Sequence, residues 1–298
     1  MKLTMTLLLA LFLSVSTYAQ QDSLVVMFWN VENFFDWKDG GSSDSDSEYS
    51  SSGPRHWTCR RFCSKCNAIA KIILKVGNST GRIPDAVGLA EVENSFVLRQ
   101  LVSNTLLRKL DYSYVHFDSP DRRGIDCALL YRRSTLKLLN AFPAHLYDSS
   151  GNVMRTRDIL VASFDGLDIL VNHHPSKVGE GSSERRKTAM AEMFRLRDSL
   201  GAEGHGQILS TGDFNDNVWS SERGEGTIKY HGKWEKIDGC FAWGLSVDEK
   251  VFNDPVLSEE DKSWGGMKPR RCYVGPRWNR GVSDHYPIVM VIKKDRKE

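Results

Sequence analysis

Apolar positions along the chain fall into short blocks whose spacing alternates between the periods of strands and helices. After an apolar N-terminal segment, "SLVVMFWN" (23–30) is rich in β-branched and aromatic residues and predicts a strand. From Cys59 to about Val76, apolar residues recur three and four apart, which predicts an amphipathic helix. "DAVGLAEVEN" (85–94) predicts a buried strand ending in acids, and Phe96 to Leu110 a second helix. Strands follow at "SYVHF", "DCALLYRR", "ILVASF" and "LDILVNHH", the last two joined as a hairpin around Gly166. Ser182 to Leu200 predicts a third helix, Ile208 onward another strand, and "YPIVMVI" (286–292) a final one. Short strands interrupted by three helices fit an α/β sandwich better than an all-β fold.

The first segment differs from the rest. "MKLTMTLLLALFLSVSTYAQ" carries one Lys, an apolar run from Leu7 to Leu13, and small residues before Ala19. That is a secretory signal pattern, too short in its apolar part to span a bilayer. Residues 1–19 are therefore expected to be a signal peptide cleaved near Ala19. Residues 20–298 are expected to be a single catalytic domain, exported to the periplasm or the exterior of a bacterial cell. No later stretch is apolar enough for a stable membrane span. "DGGSSDSDSEYSSSG" (39–53) is acidic, low in complexity, and expected to stay mobile.

Charge excludes little. With 40 Lys and Arg against 38 Asp and Glu, the net charge of +2 gives no global polyanion-binding signature. Basic residues do cluster locally, at Arg122-Arg123, at Arg185 to Lys187 and from Lys268 to Arg280, and a solvated face is the ordinary meaning of such clusters. Six cysteines in an exported chain invite disulfides, but nothing selects the pairs. Cys59, Cys63 and Cys66 are expected on the apolar face of the first helix. A zinc site with His56 uses a spacing structural zinc motifs seldom show.

Candidate chemistry lies at the strand ends. "FWNVEN" delivers Asn30 and Glu32, "GLAEVEN" Glu91 and Glu93, and "ILVNHHPSK" His173 and His174. "STGDFNDN" delivers Asp213 and Asn215, and "GVSDHYP" sets Asp284 and His285 before the last strand. Any one of these reads as a turn, since Asn, Asp and Gly favour turns. Five in one chain are hard to attribute to turns.

Taken in order, "WNVEN", "GLAEVEN", "GIDCALLYR", "NHHPSK", "GDFND", "KWEKID" and "SDHYP" resemble the endonuclease/exonuclease/phosphatase superfamily, and within it an exported bacterial branch. Its members include pancreatic deoxyribonuclease, apurinic endonucleases, sphingomyelinases and inositol-phosphate 5-phosphatases. The resemblance implies a four-layer α/β sandwich, two face-to-face mixed β-sheets flanked by helices, with the site at one edge. It implies metal-dependent hydrolysis of phosphate esters. Mg²⁺ would be the ion, with Mn²⁺ or Ca²⁺ as alternatives, since a hard cation takes carboxylate oxygens. Glu91, Glu32 and Asp284 are the implied metal ligands, with Glu32 standing where many relatives carry Asp. Asp213 would accept a proton from water or orient it. Asn215, two residues on, would face the same way and donate to a phosphoryl oxygen. His285 would be cationic, held by Asp238, because a carboxylate partner raises an imidazole's pKa. His173 is chosen over His174 as the second imidazole because Ser176 completes the Asn-His pattern; His174 would pack. Asn30, for which a turn or buried hydrogen-bond role is the lesser alternative, and Arg157 would contact substrate. Asp126 either orients His173 or makes a strand-edge salt bridge, while Asp216 and Glu93 would cap or support neighbours.

An exported nuclease or other phosphodiesterase, working as a monomer, is the leading expectation. Arginines around Tyr273 and Trp278 would form a basic, base-stacking surface for nucleic acid. The same cations would suit a phosphatase or phospholipase C-type enzyme on inositol phosphates or sphingomyelin. A non-catalytic binding module would have lost Glu91, Asp213 or His285, and all three are present.

Overall fold

In a computed structural model the described residues are 23–41, 43, 45–217 and 226–293. The expected signal peptide and its cleavage point lie outside them. The strands are β1 (Ser23–Phe34), β2 (Ala86–Val92), β3 (Tyr112–His116), β4 (Asp126–Arg132), β5 (Leu138–Ala144), β6 (Ile159–Phe164), β7 (Leu167–His173) and β8 (Ile208–Asp213). Further along come β9 (Ile228–Tyr230), β10 (Lys233–Glu235), β11 (Asp238–Trp243), β12 (Ser246–Val251), β13 (Ser258–Glu260), β14 (Met267–Pro269), β15 (Tyr273–Val274), β16 (Arg277–Trp278) and β17 (Ile288–Lys293). The helices are α1 (Cys59–Thr80), α2 (Ser95–Ser103) and α3 (Ser182–Ala202).

Two mixed sheets form the body. One has the order β12-β17-β1-β2-β4-β3 and the other β11-β8-β7-β6-β5. Only β1/β2 and β7/β8 pair in parallel within these sheets. Strand periodicity builds the layers. Along β1, Leu24, Val26 and Phe28 join Ile169, Val171 and Leu209 of the other sheet in a core between the sheets. The alternate residues Val25, Met27 and Trp29 pack outward against Phe62, Ile69 and Ile73 of α1. On the other side, Ala189, Met193, Leu196 and Leu200 of α3, spaced four, three and four, cover Val161, Leu170 and Ile208. The result is the expected four-layer sandwich.

Several local expectations change. The second helix stops at Ser103 and resumes as a short 3₁₀ turn, Leu106–Lys109, because the Thr105 hydroxyl accepts from Leu107 N and caps a new start. Cys66 faces the core, but Cys59 and Cys63 are exposed, since the buried stripe of α1 runs through Phe62, Cys66, Ile69 and Ile73. All six cysteines are free. The acidic Ser/Gly segment is a set of hydrogen-bonded turns rather than a loose chain in its described part. Asp46 accepts from Gly40 N and Gly41 N, and buried Tyr49 stacks on Phe35. The unforeseen β5, β11 and β12 are all edge strands. Exposed polar or charged residues dilute the apolar alternation of β5 and β12, as does Pro143 in β5, while β11 opens on Asp238 and Gly239 and is only six residues long.

Candidate active site

Chain direction gathers the predicted residues. Parallel β1 and β2 end side by side, as do β7 and β8, whose last residues His173 and Asp213 are in register. Strands β4, β11 and β17 start at the same edge, with Asp238 opposite Asp213 and Ile288 opposite Phe28. Gly212 lets β7 and β8 approach: a Cβ there would lie 2.4 Å from the Asn172 carbonyl oxygen. No larger residue fits between "ST" and Asp213.

The backbone at this edge is bent on purpose. Between the paired residues Asn30/Ala90 and Phe34/Val92, β1 carries three intervening positions and β2 one. Glu32, Asn33 and Glu91 occupy those bulges with φ of 49°, 52° and 63°, and Asn215 follows β8 with φ 51°. Non-glycine residues rarely adopt this left-handed region, and its clustering at one edge is typical of a functional site.

Asp213 is the hub. It accepts from Asn30 Nδ2 at 3.0 Å and from Asn215 N at 2.9 Å. His173 Nε2 lies 3.7 Å and His285 Nε2 3.9 Å from its Oδ2. Burial and then the charge of Asp238 raise its pKa to about 7, against the pull of His285. Burial opposes charge on His285, but Asp238 Oδ2 at 2.8 Å, with Asp213 and Asp284 nearby, outweighs it and holds the ring well above its ordinary pKa. His173 is the opposite case. Burial, then the charges of Arg157, Arg123 and His285, push its pKa well down and keep the ring neutral. One constellation thus holds a cationic imidazole, a neutral one, and a carboxyl near neutrality.

Backbone ties fix the geometry. Ser283 Oγ donates to Asn30 O and accepts from His285 N, joining the last turn to β1. Trp29 Nε1 donates to His285 O at 2.9 Å. Phe214, fully buried, points away from Asp213 and meets His174 edge-on at 4.9 Å. His174 is packing, as expected: neither ring nitrogen has a hydrogen-bond partner, and burial lowers its pKa to about 3. Asn215 Nδ2 donates to His174 O at 2.9 Å, which leaves the second amide hydrogen for a ligand.

Other expected partnerships differ. Asp126 does not reach His173; it binds His116 Nε2 at 3.0 Å and Ser119 N at 2.9 Å, and so anchors the loop between β3 and β4. Arg157 is buried behind the site, bound to Asp121 at 3.1 Å and donating to His174 O at 2.6 Å, so it braces the histidine strand end. Tyr273 cannot stack on a base, since its ring is buried and its hydroxyl donates to Arg55 O. Glu93 accepts from Asp36 N, and Asp216 pairs with Arg186.

The three implied metal ligands are not gathered alike. Glu91 accepts from Asn33 N at 2.7 Å and lies 3.2 Å from Arg123 Nη2. Burial opposes its charge, but Arg123 and that N–H prevail and lower its pKa. Glu32 instead turns toward Arg271 and Cys272. Burial and then Asp284 raise its pKa to about 7, with Arg271 opposing. Among the described residues, the acid and imidazole groups whose ligand atoms lie within 4.8 Å are His116–Asp118–Asp126 and Asp213–Asp238–His285. The second is an unsuitable cation site because its imidazole is itself charged. Arg123, Arg271, Asn33 and Ser283 went unassigned in the sequence, where the two arginines sat within clusters that ordinarily mean a solvated face.

This fold and edge define a phosphoesterase-type α/β sandwich. The chain belongs to the Endonuclease/Exonuclease/phosphatase family, whose model matches residues 25–225. Caenorhabditis elegans TDP2 is similar in fold, with a TM-score of 0.55 and 16% identity over 91% of this chain and 75% of that one. The human Nocturnin catalytic domain, crystallised with sulfate, gives a TM-score of 0.55 and 15% identity, covering 91% and 94% of the two chains. A mannosyl-6-phosphatase of Bacteroides thetaiotaomicron gives 0.52 and 16%, covering 90% and 98%. No curated protein sequence matches the chain. Among the described residues, no helix is long and apolar enough to cross a membrane.

Proposed function

We propose that the chain is an exported, divalent-metal-dependent phosphoesterase that acts on phosphodiesters, nucleic acid foremost. One observation carries this reading: a buried carboxyl at Asp213, poised near neutrality, faces a neutral imidazole on one side and a cationic one on the other. Activation of water needs a base matched to the working pH, and a developing phosphoryl charge needs a fixed cation. Asp213 takes the proton of the attacking water. His285, locked by Asp238, faces the phosphoryl oxygens, and Asn215 offers them its second amide hydrogen. His173, held neutral, donates a ring N–H hydrogen bond to the phosphate, and the leaving oxygen takes its proton from solvent. Asn30 orients Asp213 through its 3.0 Å hydrogen bond.

Glu91 is ionised, and since a hard cation takes carboxylate oxygens, it would with Asp284 hold Mg²⁺, Mn²⁺ or Ca²⁺. Bound there, the ion would polarise the phosphoryl group as a Lewis acid. Arg271, which pairs with Asp284, and Arg277 and Arg280 further along the same segment are exposed, and the guanidiniums of Arg61 and Arg280 lie 5.0 and 5.5 Å from the Trp278 ring. This rim supports a polyanionic substrate.

The test is hydrolysis by the purified protein, with Mg²⁺ or Mn²⁺, of DNA, RNA, inositol phosphates, sphingomyelin and sugar phosphates. Chelator-sensitive cleavage of DNA or RNA is expected. Cleavage confined to the other substrates transfers the assignment to a phosphatase or phospholipase C-type reaction, and no turnover leaves a binding module. Export is supported by the N-terminal pattern and is tested by sequencing the mature terminus; size-exclusion chromatography tests the monomer.

A further inference from the structure

The Glu32 carboxylate is already fully engaged. It is 5% exposed; its Oε1 accepts from Arg271 Nε at 3.1 Å and Nη2 at 3.0 Å, and its Oε2 from Cys272 N at 2.9 Å. The same Nη2 lies 3.0 Å from Asp284 Oδ2. One guanidinium therefore bridges two of the three acids that the family pattern offers to a metal.

That guanidinium is not a wandering surface group. Asn279 N donates to Cys272 O at 2.8 Å, Asn279 Nδ2 to Arg271 O at 3.2 Å, and Val282 N to Arg270 O at 3.0 Å. Chain crossing is tightest at Gly281, where a Cβ would lie 1.9 Å from Arg270 O and 2.3 Å from Arg271 O. The hairpin β15–β16 and its flanks thus form a clamped frame around residue 271. The Arg271 side chain is nevertheless 49% exposed.

We propose that Arg271 is a built-in cation at the carboxylate end of the site. It staples Glu32 to Asp284 and removes Glu32 from the metal's ligands. Arg123 holds Glu91 by longer contacts, at 3.2 and 3.4 Å, so a single divalent ion displaces that arginine and is confined to Glu91 and the second oxygen of Asp284, while the exposed part of the Arg271 guanidinium contacts the substrate phosphate. Guanidinium suits this place better than ammonium, because its planar fork engages two carboxylates at once and it is weakly hydrated. Without it, Glu32 and Asp284 would be like charges sharing one corner, the arrangement that recruits a divalent cation. The inference rests on the phosphoesterase reading.

Calorimetric titration with Mn²⁺ tests it on the full chain, with Glu91→Gln, Glu32→Gln and Arg271→Met beside the parent and circular dichroism confirming folding. The parent is expected to bind one Mn²⁺, and Glu91→Gln to lose about a hundredfold in affinity. Glu32→Gln is expected to lose less than about tenfold, below what loss of a direct partner causes. Arg271→Met, with two acids left facing, should bind two Mn²⁺. Arg271→Lys should raise KM for the substrate found, since it lacks the fork. A loss in Glu32→Gln equal to that in Glu91→Gln, or a stoichiometry of one in folded Arg271→Met, overturns this inference alone. If Glu32→Gln does not fold, the Arg271→Met stoichiometry decides. A parent that binds no Mn²⁺ overturns both this inference and the proposed function.

Discussion

Replacing Asp213 by Asn separates catalysis from stability in opposite directions. The carboxyl is 2% exposed, and its pKa of about 7 already includes the attraction of His285. An unfolded Asp titrates near 4. A carboxyl raised on folding penalises the folded state fully above the folded pKa and not at all below the unfolded one. Stability should therefore decline from about pH 4 to about pH 7 and level off beyond. At about 1.4 kcal/mol per pH unit, the penalty at pH 8 is on the order of a few kcal/mol. Asn at 213 keeps the bond from Asn215 N but opposes its own amide to Asn30 Nδ2, losing a hydrogen bond worth about 1 kcal/mol. Charge relief wins. Calorimetric melting without divalent ions should show the variant equal to or slightly below the parent near pH 4 and above it at pH 8, while turnover falls about a hundredfold or more. The parent's turnover should also rise with pH to a limb near 7, absent from the variant's residual rate. A variant that stays active, or melts lower than the parent at pH 8, refutes the assignment of Asp213 as a buried base.

Three further outcomes follow from the same geometry. Phe214→Ala should destabilise by about 3–5 kcal/mol in denaturant titration, because the fully buried ring supports His174 and Phe241. Among the paired histidines, His173→Ala should lower turnover by about a hundredfold or more, whereas His174→Phe should change it little and leave the melting temperature equal or higher; the reverse ranking would put the wrong imidazole at Asp213. Arg157→Met should lower both stability and turnover by loosening the carbonyl of His174, with a larger effect on kcat than on KM in steady-state assays. A rise in KM alone would make Arg157 a substrate ligand.

Local pattern determined a large part of this protein. Alternating apolar residues in β1 and the spacing of Ala189, Met193, Leu196 and Leu200 dictate which faces are buried, because side-chain direction repeats every two or 3.6 residues whatever lies elsewhere. The strand-end motifs named Asn30, Glu91, His173, Asp213 and His285 before any fold was known, since a site needs polar groups where strands stop. Edge strands such as β12 escaped because a half-solvated strand carries charges instead of an apolar stripe. Only the tertiary structure decided which charge meets which. Arg123 reaches Glu91 across 32 residues, and Arg271 reaches Glu32 across 239. It also gave Asp126 to His116 rather than to His173, and turned Tyr273 inward. An ion pair leaves no periodic trace in a sequence. Its partners are chosen by bulges, chain crossings and burial, which exist only once the two sheets have closed on each other.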